Sequence, residues 1–115
     1  MDLKANGIIS STASVTVSNT GTTIDTWSGT TYKAAKYIIT ARNSGSTVWT
    51  AAESLVVTDG SSNATITTYG IVNAGSNTPQ ITMSVSISGG NVSVTATGAT
   101  SGTVVNFSKT YIVGS

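Results

Sequence analysis

Residues 80–97, QITMSVSISGGNVSVTAT, decide the fold. Ile81, Met83, Val85 and Ile87 alternate without a break with Thr82, Ser84, Ser86 and Ser88. That two-residue period belongs to a strand with one face buried and the other wet. Gly89, Gly90 and Asn91 follow, and then Val92, Val94 and Ala96 alternate with Ser93, Thr95 and Thr97. Glycine and asparagine tolerate the positive φ of a tight turn, so the stretch reads as a β-hairpin. A glycine loop that cradles phosphate needs a helix after it, with amides aimed at the anion. Here a strand follows, and the hairpin reading wins.

The same period extends outward in both directions. ASVTVS (13–18) alternates, Asn19–Gly21 has turn chemistry, and TIDTW (23–27) is a short strand or an extended crossing. AAKYIITAR (34–42) has adjacent Ile38 and Ile39, the mark of a central strand covered on both faces. NSGS breaks it; STVWT is a possible short strand and ESLVVTD (53–59) a full one. GSSN turns the chain into ATITTYG (64–70), and IVNAGSNTPQ (71–80) is the longest irregular segment. TVVNFSKTYIV (103–113) closes the chain as one long or two short strands. No segment carries sustained helical spacing. About seven to eight strands with frequent turn signals predict an all-β, antiparallel β-sandwich. Residues 1–14 lack a clear period and are expected to form an N-terminal arm, with residues 15–115 as one sandwich domain.

Composition fits one β domain. The chain has 115 residues, and two halves would each be too small for a core. Charged residues are 8% of the chain, against about 25% in ordinary soluble domains, and hydroxyl side chains supply most of the polarity. Hydrophobic residues at 38% still support a core. The five basic residues are scattered, so no stripe exists to displace counterions from nucleic acid. No apolar run reaches the roughly 18 residues of a membrane span, and the start of the chain does not read as a secretory signal. With no cysteine, no disulfide or thiol chemistry is available.

Catalytic chemistry is sparse. Histidine, the commonest general acid–base, is absent. The acids are Asp2, Asp25, Glu53 and Asp59. On one extended strand Glu53 and Asp59 sit roughly 20 Å apart, against about 5–9.5 Å for a glycosidase pair. Asp59–Asn63 (DGSSN) holds one carboxylate, too few for a calcium loop, and reads as a turn. Three of eight asparagines lie in N-x-[ST] sequons, about what so hydroxyl-rich a chain gives by chance, so the sequons carry no information. The expectation is therefore no enzyme, and no catalytic, cofactor-binding or metal residue. Trp27 and Trp49 are candidate sugar-stacking platforms, although core or core-edge positions suit them better. The charges also suggest a register: if Arg42 faces Glu53 across an antiparallel pair, Lys36 faces Asp59, and two opposite-charge pairs end one ladder.

Three stretches taken together resemble a known family. TYKAAKYIITAR (31–42) carries Tyr32, Lys33, Ala35, Lys36 and Tyr37. ESLVVTDGSSNATITTYG (53–70) carries Glu53, Leu55, Val56, Asp59, Gly60, Tyr69 and Gly70, and the hairpin contributes Ser88–Asn91. The set resembles a β-sandwich module of tailed-bacteriophage virion proteins, notably cyanophage tail, neck and fibre-like proteins. A departure is that Ser93, Thr95 and Thr97 stand where such modules often carry a basic residue. The resemblance implies a virion structural protein made in the host cytoplasm, and no catalytic residues. An isolated module with an arm points first to a capsid decoration (cement) protein. It would stabilise the shell by bridging units of the major capsid protein, as a homo-oligomer, with a trimer expected, without contacting nucleic acid or membrane. The alternative is a neck, tail or fibre component, and a third reading is a carbohydrate-binding host-attachment module.

Overall fold

The computed structural model describes residues 3–5 and 8–113. Nine strands are described: β1 (Leu3–Ala5), β2 (Ile8–Val17), β3 (Thr22–Ser28), β4 (Tyr32–Arg42), β5 (Trp49–Thr58), β6 (Ala64–Ala74), β7 (Ile81–Ser88), β8 (Asn91–Gly98) and β9 (Thr103–Val113). They form a six-stranded sheet ordered β1-β2-β9-β4-β5-β6 and a three-stranded sheet ordered β3-β8-β7. Every pairing is antiparallel. The shortest dimension, 21 Å, accommodates two sheets about 10 Å apart and no third layer. This is the antiparallel β-sandwich that the alternating sequence predicts.

Alternation fills the space between the sheets. Ala35, Tyr37, Ile39 and Ala41 of β4 and Val105, Phe107 and Tyr111 of β9 point inward. From the small sheet come Trp27, Ile81, Met83, Val92, Val94 and Ala96. The hairpin forms as read: Ser88 pairs with Asn91 across Gly89 and Gly90, whose φ values of 58° and 80° define a two-residue I′-type turn.

Tertiary pairing alters several expectations. Residues 8–14, expected in an arm, belong to β2 and pair with β9 from Ile8↔Ile112 to Ser14↔Asn106. Residues 1, 2, 6 and 7 of that arm lie outside the described residues. STVWT and ESLVVTD merge into one strand, β5, and 103–113 is one strand, β9. β6 continues through Ile71–Ala74, where irregular chain is expected, because β5 supplies partners as far as Trp49↔Ala74. β4 is central but covered on one face only: Ile38 is 54% exposed while Ile39 is buried. The small sheet packs on the inner face alone, and no layer of the described residues covers the outer face of the large sheet.

The β4–β5 register is also corrected. The two strands are antiparallel neighbours, but Arg42 pairs with Trp49 and Lys36 with Leu55, four residues from the register that sets Lys36 against Asp59. The turn closes early because the Asn43 side-chain oxygen accepts from the Thr47 and Val48 amides at 2.8 and 3.2 Å. An even shift keeps every side chain on its face. Lys36 therefore reaches Glu53 diagonally, at 3.0 Å, and the Arg42 guanidinium lies 5.9 Å from the Trp49 ring centre.

Candidate functional site

The three described acids all serve structure. Asp25 faces the core on β3, where the pairing with β8 slips between Thr23 and Asp25. Its Oδ2 accepts from the Tyr37 hydroxyl at 2.7 Å and from the Tyr111 hydroxyl. Its Oδ1 accepts from Lys109 Nζ at 2.9 Å. Trp27 Nε1 donates to the Tyr37 hydroxyl at 3.0 Å, so an indole, two phenols, an ammonium and a carboxylate form one network between the sheets. Burial, then the charge of Asp25, holds the Tyr37 hydroxyl far above its ordinary pKa, and it stays a neutral donor.

Glu53 holds Lys36, and the hydrogen bond and charge of Glu53 raise the lysine pKa. Asp59 lies beyond the end of β5 and closes a turn. It accepts from the amides of Ser61, Ser62 and Asn63 and from the Asn63 side chain, at 2.7–3.1 Å. Those donors, the Ser61 amide foremost, pull its pKa well below the usual carboxylate range. Among the described residues no group of three or more His, Cys, Asp or Glu is placed to hold a metal ion. No helix among them is long and apolar enough to cross a membrane.

The two tryptophans part company. Trp27 is buried, with its ring 5.8 Å from that of Tyr111, and cannot serve as a platform. Trp49 is 43% exposed on the outer face of the large sheet. It lines a shallow depression of about 170 Å³ with Thr40, Ala51, Val72 and Ala74. The hairpin tip is tied to the chain itself. Gly90 O accepts the Gly29 amide at 2.8 Å, which ties the β7–β8 turn to the β3–β4 turn.

What remains as a candidate site is the outer face itself. Pairing places Ile38 of β4, Trp49, Leu55 and Val57 of β5, and Tyr69 and Val72 of β6 on that one surface. Towards β2 and β9 the surface turns polar, with Thr12, Ser14, Thr40, Asn106 and Ser108 around a broad concavity. Sequence reasoning missed this face because the adjacent Ile38 and Ile39 read as a strand covered on both sides. It also missed the Asp25 network. Asp25 and Trp27 share strand parity, and a carboxylate on the same face as a core tryptophan is the signal that reveals it.

No family model matches the chain, and no curated protein matches it. Solved structures do. The tailspike protein of Acinetobacter baumannii phage AM24 is similar over 91% of this chain, with a TM-score of 0.56 and 7% identity. The tailspike protein of Acinetobacter phage vB_ApiP_P1 aligns over 97% of this chain with 20% identity, but a TM-score of 0.42 is too loose to define a shared fold. The chain corresponds to 26% and 22% of the two tailspikes, about a quarter of each. At 7% identity the first likeness defines a fold in common with part of a phage tailspike.

Proposed function

We propose that this chain is a non-enzymatic structural module of a phage virion, seated in a tail spike or fibre. Its broad sheet face would meet neighbouring virion proteins. The observation that carries the reading is the fold held in common with part of a tailspike over 91% of the chain. Three features support it. The described acids are each engaged in contacts within the chain. Charge is scarce, at 8% of residues, as suits surfaces buried in an assembly. The exposed face gathers large apolar side chains, among them Ile38, Trp49, Leu55 and Val57, as interaction surfaces do.

Capsid decoration uses the same mechanism, burial of a wide face against a shell. The breadth of the six-stranded sheet favours it as the second reading. A glycan-binding role is served less well, because the surroundings of Trp49 are chiefly apolar. Gold-labelled antibody on purified virions, with gel densitometry of copy number, tests the proposal. Label at the tail with few copies is the expected result. Label over the head, with copies on the order of hundreds as a symmetric shell requires, transfers the chain to decoration. Absence from virions overturns both.

A further inference from the structure

The geometry points to the bare face of β4, β5 and β6 as a two-fold self-association surface on which Lys36 of one copy meets Glu53 of a second copy. Ile38, Trp49, Leu55, Val57, Tyr69 and Val72 are each 38–66% exposed on this face. Half-exposed side chains of that size present on the order of 500 Å². A standard interface takes about 800 Å² from each partner. The apolar patch is thus the right size for an interface core, with Thr40, Thr65 and Thr67 as its polar rim.

Charge selects the occupant. The charged residues on this part of the face are Lys36, Glu53 and Arg42; Arg42 lies against Trp49, and Lys36 and Glu53 form one ion pair. Lys36 stands beside Leu55, and Ile38 beside Glu53, so the four make a square with an ionic and an apolar diagonal. A two-fold axis in the plane of the face, crossing the ionic diagonal at its midpoint, sets Lys36 over Glu53 of the second copy. The same axis brings Leu55 close to Leu55 and Ile38 close to Ile38 of the second copy. Each charge then has an opposite charge beside it and another above it, and the apolar groups meet their own kind. On strands about 4.8 Å apart, that axis also carries Val72 towards Ile112 of the second copy, and crosses the two sheets at a steep angle of the orthogonal class. A three-fold ring sets a patch against a different patch and cannot use this self-complementarity. A strongly charged partner gains little from a face whose charges nearly cancel.

This inference rests on the face alone and stands or falls apart from the place of the chain in a virion. The test is sedimentation velocity of the purified chain across a concentration series, with melting curves for every variant. The wild type should show a reversible monomer–dimer equilibrium. Lys36→Glu and Glu53→Lys, each alone, set like charges across the axis and should weaken dimerisation at least about tenfold. An equimolar mixture of the two variants should recover it as a heterodimer, all-acidic squares against all-basic ones. A wild type that stays monomeric or forms trimers overturns the proposal, as do single variants that dimerise normally or a mixture that fails to recover. Should a charge variant lose its cooperative melt, Leu55→Ser decides: weakened dimerisation supports the proposal and an unchanged dimer overturns it.

Discussion

Asp25 is the side chain on which the two sheets agree. A carboxylate at this depth is tolerated because Tyr37, Tyr111 and Lys109 satisfy it, and they come from β4 and β9 of the opposite sheet. Truncation removes the acceptor that the ammonium and two hydroxyls share. Asp25→Ala should therefore lower stability by about 3 kcal/mol, read as a fall in Tm of roughly 10–15 °C for a chain of this size. Tyr111→Phe, which removes one donor, should cost about 1 kcal/mol. If Asp25→Ala melts like the wild type, the network is not holding the sheets. Asp59 offers a pH-dependent counterpart. Its folded pKa lies below its unfolded value, so its contribution is present above about pH 4 and is lost as pH falls through the folded value. The Tm gap between wild type and Asp59→Ala should accordingly be widest near neutrality and narrow progressively as pH falls below about 4.

Among the elements, turns decide the outcome as much as strands do. Gly29, Gly60 and Gly90, from three different turns, meet at one end of the sandwich. A Cβ on Gly60 would fall 2.5 Å from both Gly29 O and Lys33 Nζ, at a φ of 80° that side chains rarely adopt. Gly89 shares the positive φ, but a Cβ there meets nothing within 4 Å. Gly60→Ala should thus cost on the order of 3 kcal/mol, from strain plus collision, and Gly89→Ala about 1 kcal/mol, from strain alone. Equal melting of the two variants would contradict the packed-turn reading. At this scale the sequence was partly legible. The alternation of β7 and β8 and the Gly-Gly turn needed only neighbouring residues. The β4–β5 register did not follow from charge matching, because the Asn43 side chain closes the turn four residues sooner.

For the molecule as a whole, imbalance between the layers is the main fact. Six strands face three across the core, and on the outer side of the large sheet Ile38, Trp49, Leu55 and Val57 stay exposed with no layer of the described residues over them. At concentrations low enough to keep the chain monomeric, replacing Val57 and Val72 by Thr, which keeps the strands β-branched, should leave Tm nearly unchanged. It should also reduce the binding of a dye specific for exposed apolar surface. A large fall in Tm would instead show that these side chains belong to the monomer's core. The candidate surface was invisible in the sequence because an apolar residue on a strand carries no label for what will cover it. Trp27 and Trp49 show the same limit, since only packing distinguishes the buried donor from the exposed ring.

The sequence by itself determined that the chain is all β, where its cleanest strands lie, which side chains alternate, and that metal and thiol chemistry have little to work with. These follow from local rules of period two, turn residues and side-chain inventory. Only the tertiary structure decided that residues 8–14 extend a sheet, that Asp25 bridges two layers, and which half of the apolar residues stays in water. Those outcomes depend on pairings between residues far apart in the chain, and on how many strands each sheet recruits.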